Sequence, residues 1–178
     1  FCSMLFKLTE DMKGDNEPTH MAVIFDYSGK SFRNEFYPEY KAHRPPAPED
    51  LVPQFALTRQ ATRAFSIPAI EQEGYEADDL IATYTTLARQ QGAKVTIVST
   101  DKDLMQLVED DNVRLLDTLK NRWIGPDEVV EHFGVGPDKV IEVQSLCGDT
   151  GHTVPSVPGT GTHTAAPPTQ PYRHLDPL

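Results

Sequence analysis

Between Gly74 and Leu107 lie five carboxylates in two tight groups, Glu76, Asp78 and Asp79, then Asp101 and Asp103. Each group falls where one regular element gives way to another, a position at which chains place chemistry more often than core packing. Helix capping accounts for one or two acids in a first turn, because the N–H groups there lack partners. Three acids among four consecutive residues exceed that need. Glu76 and Asp79 share a helix face while Asp78 points about 100° away from Asp79, so the group can surround an ion. So many carboxylates in a small volume cannot all stay ionised without cations, since like charges raise one another's pKa. Oxygen donors without a His or Cys companion select hard ions such as Mg²⁺ or Mn²⁺. Two such ions about 4 Å apart suit in-line cleavage of a phosphodiester, one activating a water and the other stabilising the leaving oxygen. The plain alternative is an acidic sheet edge that binds nothing.

These acids need elements to carry them. Phe1, Met4, Leu5 and Leu8 have helical spacing with one buried face, and Gly14, Asp15, Asn16 and Pro18 end that helix. Met21-Ala-Val-Ile-Phe25 is a continuous apolar run of the kind found in interior parallel strands. Asp26 follows at once, and it reads either as a turn residue or as an acid on the sheet edge where α/β folds bind ligands. A second amphipathic segment, with Phe55, Leu57, Ala61 and Phe65, has early acids and a later Arg59 and Arg63 that agree with the helix dipole. Ala69-Ile70 reads as a very short strand. Ala77, Leu80, Ile81, Tyr84, Leu87 and Ala88 form the apolar stripe of a central helix opened by Glu76 and stopped by Gly92. Val95 to Ser99 and Val113 to Leu116 read as strands, and Lys120 to Ile124 as an edge piece. A short helix is expected around Leu104 to Val108. Gly125-Pro-Asp and Gly136-Pro-Asp each start a helix, ending near Phe133 and Leu146. Strands alternating with helices predict a three-layer α/β fold with a parallel sheet. Asp149, after a helix and a Gly, is a seventh candidate acid.

The segment from Phe32 to Pro46 holds Lys41, His43 and Arg44 beside Tyr37 and Tyr40, with prolines that prevent a long helix. Cations beside aromatic rings suit phosphate contact and base stacking on frayed nucleic acid; a solvated loop is the other reading. The net charge of −11 over 178 residues argues against a nucleic-acid partner only while the acids carry no cations. Two cysteines without framework spacing favour a reducing compartment, and six histidines contain no pair at zinc-ligand spacing. No apolar run approaches a membrane span and no signal peptide is visible. After Asp149 the chain turns rich in Thr, Pro, Gly and His, and Pro167-Pro168 blocks any helix begun at Thr164. The expected organisation is a core over 1–149, a region over 150–166 and a disordered tail over 167–178.

Phe25-Asp26, Tyr40-Lys-Ala-His-Arg-Pro45, Glu73-Gly-Tyr-Glu-Ala-Asp-Asp-Leu80, Ser99-Thr-Asp-Lys-Asp-Leu104 and Gln144-Ser-Leu-Cys-Gly-Asp149 resemble the 5′-nuclease domain of bacterial DNA polymerase I. That domain belongs to the wider flap-endonuclease family, and the likeness runs from Phe1 to about Ala166. It implies a PIN-like α/β fold with a mainly parallel central sheet and two-metal (Mg²⁺ or Mn²⁺) hydrolysis at 5′ ends and flaps of DNA. It further implies a bacterial cytoplasmic setting at the nucleoid, in replication and repair. By position, Asp26, Glu76 and Asp78 look like ligands of the first metal. Asp101, Asp103 and Asp149 look like ligands of the second, with Asp79 adjacent. Lys41 and Arg44 look like the residues that grip the phosphate at the scissile bond, with Tyr40 beside them.

The chain departs from the family pattern in three places. The family opens with a strand carrying a further Asp, whereas this chain starts inside a helix without an initiator Met, so a missing first strand and weak turnover are expected. The family's Gly-Asp-Ser-x-Asp-Asn-Val-Pro-Gly block reads Gly148-Asp-Thr-Gly-His-Thr-Val-Pro-Ser156, which puts His152 at its second Asp. The helix-hairpin-helix that follows is degenerate: Gly159 and Gly161 remain as phosphate-approaching glycines, but His163 stands for a Lys. The residues after Ala166 are expected to come from a truncated or shifted reading frame. Two further readings stand beside the nuclease: a noncatalytic DNA-binding remnant, and a phosphatase with an aspartyl nucleophile. Asp26-Tyr-Ser lacks the second Asp that the phosphatase needs.

Overall fold

The structure is a computed structural model that describes residues 1–14, 17–162 and 165. Asp15, Asn16, His163 and the tail from 166 onward, on which several expectations fall, lie outside the described residues. The elements in chain order are α1 (Cys2–Asp11), β1 (Val23–Ile24), α2 (Arg33–Phe36), α3 (Val52–Ala64), β2 (Ala69–Ile70), α4 (Ala77–Gln90), β3 (Val95–Val98), β4 (Val113–Asp117), β5 (Arg122–Ile124), α5 (Pro126–Phe133) and α6 (Val140–Cys147). Short 3-10 helices occupy Lys102–Leu107, Pro137–Lys139 and Thr150–His152. The chain divides into two compact units, one of Phe1–Phe32 with Arg44–Leu80, the other of Arg33–His43 with Ile81–Leu178.

In the first unit β1 and β2 pair in parallel, Val23 opposite Ala69 and Ile24 opposite Ile70. The expected strand over 21–25 is thereby cut to two paired residues, because β2 itself has only two before the chain turns toward α4. Phe25 N still donates to Ile70 O at 2.8 Å, extending the ladder one bond toward Asp26. The helical faces differ from the expected stripes. In α1 Leu5 is buried, while Phe1 and Met4 stay exposed. In α3 Phe55 and Leu57 are exposed, and the residue fully buried is Thr62, whose hydroxyl donates to Thr58 O at 2.9 Å. A hydroxyl bonded back to the preceding turn carries no unmet polar group inward, so a threonine can occupy this position.

The second unit holds the larger core. Its sheet has the order β3-β4-β5, with β3 and β4 parallel and β4 and β5 antiparallel. Ile97, Val113, Leu115, Val129, Val140 and Val143 are among its buried residues, Leu115 being fully enclosed. β5 follows β4 through a short turn in which buried Asp117 accepts from Leu119 N at 2.9 Å and Lys120 N at 3.1 Å. A carboxylate kept from water needs such donors. On α4 Leu80 and Thr85 are buried, whereas Tyr84 and Leu87 of the expected stripe are exposed. The helix expected from Gly136 to Leu146 is a 3-10 turn followed by α6.

Helix α5 ends at Gly134 in the left-handed conformation, with Gly134 N donating to Val130 O. It begins with Glu128 folded back so that Oε2 accepts from Gly125 N at 2.7 Å. The Gly125 N–H, followed by the N–H of Glu128 itself, holds this carboxyl below the usual glutamate range. A lowered folded value means that the ionised cap stabilises the fold above the ordinary glutamate range. That contribution is lost as pH falls through the lowered value. Glu128→Gln is therefore expected to cost about 0.5–1 kcal/mol at neutral pH. Thermal melts of the two proteins should converge in acid below the carboxylate range.

Candidate metal and nucleic-acid site

The first group of acids sits around the start of α4. Asp26 ends the β1 segment, and its Oδ1 accepts from Ala77 N at 2.8 Å, so the strand-end carboxylate covers one of the open N–H groups of the helix. Asp79 reaches back to accept from Glu76 N at 3.0 Å. Glu76 thus precedes the helix, which begins at Ala77. Its Oε1 accepts from the hydroxyl of buried Ser31 at 3.3 Å. Asp78 is half-buried in the same first turn. Arg59 holds this group from α3. Its Nη2 donates to Asp26 O at 2.7 Å, its Nε donates to Glu71 Oε2 at 2.5 Å, and its guanidinium lies 4.9 Å from the Phe25 ring centroid. The sequence marks Arg59 only as a charge near a helix end; the structure spends it on fixing the β1 end.

The second group is built in the other unit. Asp101 caps the 3-10 helix Lys102–Leu107 by accepting from Asp103 N at 2.9 Å, and its own N–H donates to Ser99 Oγ. Asp103 Oδ1 accepts from the Gln144 side chain of α6 and lies 3.8 Å from Lys102 Nζ. Asp149 caps the turn Thr150–His152, its Oδ1 accepting from Gly151 N at 2.8 Å. Its Oδ2 lies 2.6 Å from His152 Nδ1, and Asp103 Oδ2 lies 4.0 Å from the same nitrogen. Asp103, Asp149 and His152 offer donor atoms all within 4.8 Å of one another, each residue half-buried. Burial pushes the Asp149 carboxyl up, but His152, the Gly151 N–H and the Lys102 charge together hold it below the usual aspartate range. This donor set fits a divalent ion: two carboxylates and an imidazole converge, and each carboxylate has its other oxygen fixed by a protein donor.

His152 and Gln144 carry no signal of their own in the sequence. The histidines lack ligand spacing, and His152 stands out only as a departure from the family block. Gln144 lies five residues before Asp149 in the same block, which was the available hint.

Of the residues expected at nucleic acid, Tyr40 and Lys41 lie in the same unit as His152. The Tyr40 ring stacks on the His152 imidazole, centroids 5.5 Å apart and planes 11° from parallel. Lys41 adopts positive φ, its N–H donates to His152 O at 3.3 Å, and its Nζ lies 5.1 Å from the Tyr40 centroid. Tyr37 OH donates to Thr153 O at 2.8 Å. Arg44 is exposed and belongs to the first unit. Gly159, at φ +77°, follows Pro158 in a turn closed by Thr160 N donating to Val157 O, and Gly161 O accepts from Ala165 N.

The family model described as the 5′-3′ exonuclease, N-terminal resolvase-like domain matches residues 1–134. The chain belongs to this 5′-3′ exonuclease family. DNA polymerase I of Rhizobium leguminosarum is 52% identical over 181 residues, which take in the whole of this chain and 18% of that protein. A 5′-3′ exonuclease of Aquifex aeolicus is 37% identical, covering 93% of this chain and 55% of its own length. Flap endonuclease Xni of Cronobacter sakazakii is 35% identical, covering 88% and 62%. The chain thus spans about a fifth of the length of its polymerase relatives. Among solved structures, T5 D15 protein co-crystallized with metal ions superposes with a TM-score of 0.80 at 25% identity, over 98% of this chain and 68% of that one. The fold is accordingly the PIN-like α/β fold of 5′-nucleases, and the relatives are bacterial DNA polymerase I and its kin. No described helix is long and apolar enough to cross a membrane.

Gly148 sets where Asp149 stands. At φ +64° and ψ −175° it occupies a region open almost solely to glycine. A Cβ there would also come within 2.6 Å of Pro155 C, Ser156 N and Val154 O. Gly159 shares the positive φ, but a Cβ there would meet nothing within 4 Å. Gly148→Ala is expected to cost more than about 3 kcal/mol, and Gly159→Ala about 1–2 kcal/mol. Denaturant melts of the two variants check the difference.

Proposed function

We propose that the chain is the metal-binding part of a 5′-nuclease that hydrolyses phosphodiester bonds at the 5′ ends and flaps of DNA, in replication and repair. The observation that carries this reading is the convergence of Asp103 with the sequence-distant pair Asp149 and His152 onto one place, within a chain of the 5′-3′ exonuclease family. The relatives named 5′-3′ exonuclease and flap endonuclease supply the substrate class, and the metal ions named with T5 D15 supply the cofactor class. Asp26, Glu76 and Asp78, with Asp79 beside them, are assigned to one divalent ion. Asp101, Asp103 and Asp149 are assigned to a second. When bound, such ions supply an activated water and charge for the leaving oxygen.

The chain's own residues do the positioning. Gln144 and the Gly151 N–H orient the Asp103 and Asp149 carboxylates, while the Ala77 N–H and Ser31 hydroxyl orient Asp26 and Glu76. Preset orientation of this kind removes the reorganisation that would otherwise accompany reaction. Lys41 and Arg44 are assigned to the phosphate, and Tyr40, Gly159 and Gly161 to the DNA strand. A polymerase domain in the same protein and a place at the bacterial nucleoid belong to the same proposal, the first of them supported by the polymerase relatives.

The test is a labelled 5′-flap DNA incubated with the chain and Mg²⁺ or Mn²⁺. Release of nucleotides or short oligonucleotides, abolished by chelator and lowered about 10²-fold or more in Asp103→Asn, is the expected result. Salt-sensitive retention of the DNA with no cleavage under either ion would replace this reading with a binding remnant. Neither binding nor cleavage would remove both.

A further inference from the structure

The cofactor reading above assigns hard ions to an all-oxygen ligand set, but the cluster the chain actually builds includes a ring nitrogen. We propose that the Asp103–Asp149–His152 cluster is a mixed carboxylate–imidazole site that selects a nitrogen-accepting divalent ion, Zn²⁺ or Co²⁺, over Mg²⁺, with His152 Nδ1 as a direct ligand. This rests on reading the cluster as a metal site.

The geometry suits direct ligation. Around a six-coordinate ion with bonds of about 2.1 Å, neighbouring donors stand about 3 Å apart and opposed donors about 4.2 Å apart. His152 Nδ1 lies 2.6 Å from Asp149 Oδ2 and 4.0 Å from Asp103 Oδ2, each somewhat shorter than the neighbouring and the opposed separation respectively. The oxygens that approach the nitrogen are the ones the protein leaves for it. Gln144 and Lys102 are directed at Asp103 Oδ1, and Gly151 N at Asp149 Oδ1. An ion would take the place of the hydrogen bond between Nδ1 and Asp149 Oδ2.

The ring is also held. Stacking on Tyr40 fixes its plane, and the Lys41 N–H on His152 O fixes its backbone. Restrained ligands lose less entropy on binding. The His152 and Asp149 side chains keep 20% and 21% of their surface exposed, and Asp149 also lines a cavity of about 240 Å³ with Lys102, Gln144 and Gly161. An ion therefore has a path in. Imidazole favours Zn²⁺, Co²⁺ and their neighbours, whereas Mg²⁺ keeps to oxygen and water.

The experiment uses the full chain loaded with one equivalent of Mn²⁺, a spin probe accepted by both donor types, and reads nitrogen coupling by pulsed EPR. Wild-type protein should show a directly bound ¹⁴N, and His152→Asp should lose it. Circular dichroism melts without metal confirm that the variant folds. In competition titrations followed by Co²⁺ absorption, the preference for Zn²⁺ over Mg²⁺ should fall at least 10-fold in His152→Asp. Absence of nitrogen coupling in the wild type, or an unchanged Zn²⁺-to-Mg²⁺ preference in the folded variant, overturns the proposal. Flap cleavage with Mg²⁺ but without nitrogen coupling would sink this inference and leave the nuclease reading standing. Nitrogen coupling without cleavage under any ion would do the reverse.

Discussion

Backbone N–H groups without a helical partner hold four of the seven candidate acids, two in each unit. Asp26 takes the N–H of Ala77, Asp79 that of Glu76, Asp101 that of Asp103, and Asp149 that of Gly151. The first turn of any helix leaves such donors exposed, and a carboxylate is their strongest acceptor. One interaction thereby serves two ends. It completes the helix or 3-10 turn, and it fixes one oxygen of each of these four acids. Capping, which competes with ligation as an explanation in the sequence, is what the structure shows for these four acids, and it is compatible with the proposed ligation.

The acids themselves stand out in the sequence because three fall in one turn, more than capping requires, and because Asp26 follows an apolar run and Asp149 a glycine. The strand Ala69–Ile70 was legible for a similar reason, standing between Pro68 and a run of polar residues. Helical faces were less so. The stripe through Phe55 and Leu57 marks α3 as amphipathic, but hydrophobicity alone does not say which face is enclosed. Thr62 is buried because its hydroxyl is satisfied within the helix, a condition periodicity does not measure.

His152 was the least legible part of the site. A metal-binding histidine announces itself in sequence by spacing to another histidine or cysteine, whereas His152 meets Asp103 and Tyr40 only through the fold. Asp103 lies far back in the chain and reaches it where the Lys102–Leu107 turn packs on α6, a contact that Gln144 bridges. Tyr40 arrives from still further away, from a loop whose aromatic residues suggested bases rather than imidazole. Arg59 teaches the same lesson in the other unit, where a charge consistent with the helix dipole anchors a strand end.

The contrast between Gly148 and its neighbours bears on how such a loop can change over generations. At Gly148 the main chain of 154–156 lies against the hydrogen face of the α-carbon, so any side chain is met by backbone that has nowhere to move. Three residues later the chain is back at the surface, where Gly151 and Thr150 are exposed. The loop thus has one position, 148, at which any side chain is met by main chain. Position 152 has no such positive φ, so under the proposed ligation a ligand can be exchanged there without that backbone barrier, and metal preference becomes a trait that can wander while the scaffold stays put.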